Sequence, residues 1–246
     1  MKNKILIIVS SIALAFSMHV NAQNQAISGA TEKTIIQGLG KIIPNLPAIN
    51  EVTQTPIKGI YEVRHSDSQI FYVTEDLNFM LQGNIIDNKN KTNLTQERLM
   101  KLNAIDFKTL PLKDSFTIVK GNGQRKIAVF EDPNCGYCKQ FEKEIQKLQN
   151  VTVYVFLYPV LGSDSITKAS NVWCSKNREK VWTDWMLNAV PIPDAKCADT
   201  PLERNTNFGK LNKINGTPSI IFEDGLRIPG FLTAVQIEEK LKNIKK

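Results

Sequence analysis

The segment from residue 126 to 158 constrains the fold more than any other. Lys126-Ile127-Ala128-Val129-Phe130 is an apolar, strand-like run between two turn signals, Gly121-Asn122-Gly123 and Asp132-Pro133-Asn134. The pair Cys135-Gly136-Tyr137-Cys138 follows, and Tyr137, Cys138, Phe141, Ile145 and Leu148 then line one face of a helix of period 3.6. Val151 to Tyr158 reads as a second strand. Strand, helix and strand within about 35 residues predict a βαβ crossover and a parallel pair. The CxxC is thereby expected at a helix N-terminus.

That position determines the thiol chemistry. The first turn of a helix carries unpaired N–H groups and a partial positive charge, both favourable to an anion. An ordinary thiol, with a pKa of about 8.5, is a few per cent ionised at neutral pH, whereas a CxxC at a helix start falls to roughly 3.5–7.5. Cys135 is expected to be the exposed attacking sulfur. Cys138, one turn in and on the apolar face, is expected to be shielded and to resolve the mixed disulfide. The competing readings are an inert disulfide and half of a zinc site. Zinc sites bring a second close ligand pair, but Cys174 and Cys197, the other two cysteines, lie far apart. Among histidines, His19 lies in the leader and His65 in a turn-like segment far from the CxxC, so neither a Cys–His hydrolase nor a His-based metal site is supported. No metal and no cofactor are called for.

Residues 1–22 read as a secretory signal. Lys2 and Lys4 precede an apolar run from Ile5 to Phe16, and Val20-Asn21-Ala22 offers a cleavage site after Ala22. The apolar run is too short and interrupted to span a bilayer. Loss of Lys2 and Lys4 lowers the formal charge from +7 to +5. The remaining basic residues alternate with acids, as in Lys139, Glu142, Lys143, Glu144 and Lys147, which reads as a solvated helix face and argues against nucleic acid as a partner. All four cysteines follow the leader, in a compartment that permits disulfides. Cys174 and Cys197 are either two free thiols or a staple that adds about 3 kcal/mol by closing a loop.

The remaining chain divides into an N-terminal domain (23–88), a linker helix (89–107) and a C-terminal domain (108–246). A short helix is expected over 26–39. Gly59–Val63 and Gln69–Val73 form a predicted hairpin around the polar turn at 64–68, which places His65 at the surface. Phe79–Ile86 is expected to be an edge strand that pairs with a second copy. Asp87 to Thr92 reads as polar linker, and Asn93 with Gln96 as a helix cap. Ser115–Lys120 and Arg125–Glu131 are expected to pair as a hairpin around Gly121-Asn122-Gly123. Residues 164–189 read as a helical insertion with Trp173, Trp182 and Trp185 in the core. Thr200-Pro201-Leu202-Glu203 gives a helix start by capping box and N1 proline, and Thr233 with Gln236 caps a last helix. Pro218, at the start of the strand Ile220-Ile221-Phe222, is a position where a cis bond is accessible.

Phe130 to Cys138 and Gly216-Thr217-Pro218 resemble the active site and cis-proline loop of the thioredoxin fold. Tyr72 to Asp76, Leu81-Gln82-Gly83, Val172-Trp173-Cys174 and Arg227 to Phe231 extend the likeness, nearly end to end, to the periplasmic disulfide isomerases of the DsbC/DsbG family. The resemblance implies an α+β and α/β architecture: a small β-rich, cystatin-like dimerisation domain, a linker helix, and a thioredoxin-fold domain with a helical insertion. It also implies a V-shaped homodimer with an apolar cleft, a CxxC kept reduced by the membrane reductase DsbD, and a structural Cys174–Cys197 disulfide. Gly136, Tyr137, Thr217 and Pro218 would line the substrate groove. Misfolded, disulfide-containing secreted proteins would be the substrates, and chaperone activity would accompany reshuffling. Glu131 and Asp132 place two acids close to the motif. Rival readings are a monomeric thiol oxidase, a DsbG-type reductase of oxidised single cysteines, whose motif usually has proline where this chain has Gly136, and a holdase with an incidental CxxC.

Overall fold

The computed structural model describes residues 25–66 and 68–244, so the expected leader lies outside the described residues. The chain divides between Gly83 and Asn84 into two compact units.

The first unit is an antiparallel meander packed on one helix. Its elements are β1 (Gln25–Ala26), α1 (Gly29–Ile42), β2 (Ile49–Gln54), β3 (Ile60–His65), β4 (Gln69–Thr74) and β5 (Met80–Leu81), with the strands in sequential order. Ser28 caps α1 by accepting from Thr31 N. Ile35 and Leu39, one turn apart on α1, meet Val52, Tyr61, Val63, Phe71 and Val73 in the core. The β3–β4 hairpin forms around the polar turn as expected, but His65, expected at the surface, is half-buried at its end against the Phe71 ring. Strand β2 lies between Pro47 and Pro56, two residues that break strand and helix patterns in the sequence. Only Met80–Leu81 of the expected edge strand pairs with β4.

The second unit begins with a hairpin, β6 (Ile86–Asp87) and β7 (Thr92–Asn93), where the sequence read as open linker. The Asp87 carboxylate accepts from Lys89 N and Asn90 N, which gives the polar run a turn of its own. Then follow α2 (Leu94–Leu102), β8 (Phe116–Lys120), β9 (Arg125–Glu131), α3 (Gly136–Ile145), β10 (Val151–Leu157), α4 (Ser163–Cys174), α5 (Arg178–Asn188), α6 (Leu202–Leu211), β11 (Ser219–Phe222), β12 (Arg227–Pro229) and α7 (Ala234–Asn243). Asn93 caps α2, and Thr233 with Gln236 forms the capping box of α7. At α6 the expected box is absent: Pro201 takes the cap position and no side chain bonds the first turn.

The sheet order is β12-β11-β9-β10-β8, with β9 and β10 parallel and all other pairs antiparallel. The expected β8–β9 hairpin is therefore incorrect. β10 lies between the two strands, and the Gly121-Asn122-Gly123 turn steps over its first residues. Asn150 holds that turn, its Oδ1 accepting from Asn122 N and its carbonyl from Arg125 N. A Cβ on Gly121, whose φ is +59°, would collide with Asn150.

Strand alternation divides the core. Ile127, Val129, Val153 and Val155 face α3, α4, α5 and α7, while Ala128, Phe130 and Phe156 face Phe107, Ile214 and α6. Phe130 stacks on Phe156 at 4.6 Å and on Phe208 at 5.8 Å. Phe130→Ala is expected to cost about 3–5 kcal/mol, read as a lower urea midpoint at unchanged slope. A loss below about 1 kcal/mol would disprove this packing.

Candidate active site

The site forms where β9 ends and α3 begins. Cys135 is the N-cap of α3, and its sulfur accepts from Cys138 N at 3.4 Å, so the side chain satisfies one of the first unpaired donors. Asp132, buried just upstream, fixes the approach. Its carboxylate accepts from Asn134 N (2.8 Å), Val160 N (2.8 Å), Leu161 N (3.0 Å) and Ser165 Oγ (2.7 Å). Pro133 O accepts from Trp185 Nε1 at 2.6 Å, and Lys139 and Lys168 both hold their ammonium groups over the Trp185 ring. Trp185 is thus part of the site's frame, whereas Trp182 is core, as expected of the stripe.

The Thr217–Pro218 bond is cis and brings its loop against Cys135, whose thiol donates to Thr217 O at 3.3 Å. Pro218 is buried and Thr217 half-buried, while Gly136 and Tyr137 are open to solvent. One expectation fails here: Cys135 is only 7% exposed. The loop from Gly216 covers it, a contact 82 residues away in sequence that local pattern does not reveal. Cys138 is fully buried, as its place on the apolar face requires. Cys174 at the end of α4 is bonded to Cys197, with Cα atoms 5.3 Å apart.

The two thiols of the CxxC are opposite in character. As an anion, Cys135 accepts first from the Cys138 S–H, then from the Thr217 hydroxyl and the N–H groups of Cys138 and Tyr137, and these bonds outweigh burial to lower its pKa from an ordinary 9.0 to about 5. Burial, with the Cys135 sulfur and the charge of Glu131 adding, pushes Cys138 far upward. Glu142 is fully buried, contrary to its reading as part of a solvated face, and accepts from Trp182 Nε1 at 2.6 Å. Its spacing of four from Cys138 was the available signal, because it places both on one side of the helix. Asp132 and Ser165 gave no such signal. Among the described residues no group of His, Cys, Asp and Glu could hold a metal ion.

An acidified thiol at the N-cap of α3, paired with a fully buried one on a thioredoxin-type sheet, defines a thiol:disulfide oxidoreductase. Residues 112–245 match the thioredoxin-like domain, and residues 24–96 match the disulfide bond isomerase protein N-terminal domain. The chain is 40% identical over 193 residues to the "Probable thiol:disulfide interchange protein DsbC" of Bordetella parapertussis, covering 78% of this chain and 68% of that one. It is 25% identical to the thiol:disulfide interchange protein DsbC of Escherichia coli K12, covering 96% and 94%. A crystal structure of a disulfide interchange protein from Neisseria gonorrhoeae, 37% identical, covers 54% of this chain and 96% of its own, with a TM-score of 0.52. The chain belongs to the DsbC family of thiol:disulfide interchange proteins.

Alkylation of reduced Cys135 is expected to show a midpoint near pH 5, and one near the ordinary 9.0 would refute the site geometry. Because the folded pKa is depressed, the thiolate's contribution to stability is full above the ordinary value and lost as pH falls through about 5. Denaturation of the reduced protein beside Cys135→Ser across that window reads this directly. Asp132→Ala leaves buried donors unpaired and is expected to destabilise by about 3 kcal/mol; a loss under about 1 kcal/mol would dismiss its anchoring role.

Proposed function

We propose that this protein is a periplasmic disulfide isomerase and reductase that reshuffles wrong disulfides in exported proteins. The observation that carries this reading is the contrast between Cys135, acidified to about 5, and the fully buried Cys138. The Cys135 thiolate attacks one sulfur of a non-native disulfide, forms a mixed disulfide and releases the other sulfur as a thiolate. A second substrate thiolate then attacks the sulfur joined to Cys135 and displaces it, so the substrate gains a different disulfide with no net oxidation. When no such thiol arrives, Cys138 displaces the substrate and leaves it reduced. A reductase of the DsbD kind would return Cys135 and Cys138 to dithiols.

Tyr137, Val160, Leu161 and Ile166 are exposed apolar residues next to the CxxC or on the segments tied to Asp132. An apolar rim suits a client that is recognised by misfolding rather than by sequence, and it supports a holding activity as well. A homodimer through the N-terminal unit fits its edge strand, where Phe79, Met80 and Leu81 are exposed. Export fits the leader, with mature protein beginning at Gln23.

Recovery of a scrambled multi-disulfide substrate, run beside a mass measurement, tests this. Wild type should restore activity as a dimer, and Cys135→Ala should lose at least nine-tenths of the rate, taking a tenfold change as about 1.4 kcal/mol. Equal recovery by both proteins would reduce the chain to a holdase.

A further inference from the structure

Glycine leaves its own amide nitrogen unobstructed, so an Asn-Gly step is where a backbone nitrogen most readily attacks the preceding side-chain amide. The chain has two Asn-Gly steps, Asn122-Gly123 and Asn215-Gly216, and one Asp-Gly step, Asp224-Gly225. The first and the last are held shut. Gly123 N donates to Lys120 O at 3.3 Å, and Asn122 Oδ1 accepts from Gln124 N at 3.1 Å. Gly225 N donates to Phe222 O at 2.9 Å, and Asp224 Oδ1 accepts from Leu226 N at 3.0 Å. Asn215-Gly216 differs in both respects. Among the described residues, neither the Asn215 side chain nor the Gly216 N–H takes a hydrogen bond. Both residues are exposed in the loop between α6 and β11, and a Cβ on Gly216 would meet nothing within 4 Å.

We propose that Asn215 deamidates spontaneously in the folded protein, and that the isoaspartate formed there draws Thr217 off Cys135 and retires the molecule as a thiol catalyst. The span that must absorb the change is short and pinned at both ends. Ile214 is buried, its N–H bonded to Gly209 O at 2.8 Å and its carbonyl accepting from Tyr158 Oη at 2.9 Å. Pro218 is buried and its carbonyl accepts from Gly230 N at 2.7 Å, and Ser219 pairs with Phe130 in the sheet. Between these anchors lie Asn215, Gly216 and Thr217 alone. An isoaspartate runs the main chain through its side-chain carbons. The added methylene has no slack at either anchor, so Thr217 moves. Thr217 makes two contacts with the Cys135 sulfur, through its carbonyl at 3.3 Å and through its hydroxyl. The carboxylate left two residues before it also opposes a thiolate, since like charges disfavour each other's ionised form. The consequence is the same whether the thiols reshuffle disulfides or only reduce them.

The step balances with water alone. A solvent base removes the Gly216 amide proton, and the nitrogen attacks Asn215 Cγ. The Cγ–Nδ2 bond breaks, ammonia leaves, and a five-membered succinimide closes. Water then opens the ring. Cleavage at the Cγ carbonyl gives aspartate, and cleavage at the main-chain carbonyl gives isoaspartate. No electrons are transferred, so the redox state of the CxxC is unchanged.

Purified full chain with its CxxC reduced, aged at neutral pH and sampled by peptide mass analysis, reads each step as a one-dalton gain. Asn215 is expected to gain at least about tenfold faster than Asn122, whose two hydrogen bonds must open first. In urea-unfolded protein the two should age alike, because only the fold distinguishes them. Isoaspartyl methyltransferase labels the isoaspartate. In fully aged protein the alkylation midpoint of Cys135 should rise from about 5, and capture of oxidised glutathione should slow. Asn215→Asp carries the charge without the added methylene and should show a smaller rise. Asn215→Gln closes no five-membered ring and should keep its unaged midpoint through the same incubation. Equal ageing of Asn122 and Asn215 in folded protein, or none at Asn215, overturns the site. Isoaspartate at Asn215 with the midpoint and capture rate of fresh protein overturns its effect on the thiol. Failure of fresh wild type to capture glutathione would instead count against the exchange reading, with the mass gain and the alkylation midpoint still deciding this one.

Discussion

The carboxylate of Asp132 joins three separate pieces of chain, and the placement of the CxxC depends on it. It accepts from the loop ahead of Cys135, from the backbone that follows β10 and from the first turn of α4. A buried carboxylate is costly unless its lone pairs are filled, so these donors cannot drift without exposing a charge to an apolar interior. The βαβ crossover sets where α3 starts, and Asp132 sets the direction in which its first turn points. Trp185, donating to Pro133 O from α5, braces the same loop from the other side.

Acidity at Cys135 arises from short-range donors rather than from a neighbouring cation. Lys139 directly follows Cys138 in the chain, yet its ammonium lies over the Trp185 ring at 4.3 Å, and the leading donors to the thiolate are Cys138, Thr217 and Tyr137. The sulfur takes the place of the usual N-cap oxygen and gathers N–H, S–H and hydroxyl donors as it ionises. Burial opposes these donors at Cys135 but is the leading cause that raises Cys138, so the two sulfurs stand far apart in acidity. Salt should therefore affect this acidity less than it would a surface ion pair.

Local periodicity made the centre of the second unit legible. The unbroken apolar run of Ile127 to Phe130 and the helical spacing of Cys138, Phe141 and Ile145 each carry enough signal to fix the crossover and the helix start. What escaped depends on partners distant in sequence. A Gly-Asn-Gly turn looks the same whether its strands are adjacent or have β10 between them. The cover over Cys135 comes from Thr217, and the burial of Glu142 depends on Trp182 approaching from the insertion. Charged residues default to the surface in any sequence reading, so Glu131 could be placed only once strand and helix faced each other, and for Glu142 the spacing from Cys138 was outweighed by its charge. In the first unit, Pro44, Pro47 and Pro56 hid β2 by surrounding it.

The sheet order has a consequence for the time before the fold is complete. Within this sheet β8 and β9 are synthesised first, but their common neighbour β10 and the flanking β11 come later, so neither early strand has a partner to wait beside. Thr217 trails Cys135 by 82 residues. During that interval the two cysteines belong to an uncapped, solvated segment and have ordinary acidity. They are then as open to mispairing with Cys174 as any other thiol in transit. A catalyst of disulfide exchange is, while still unfinished, a candidate for the error it corrects.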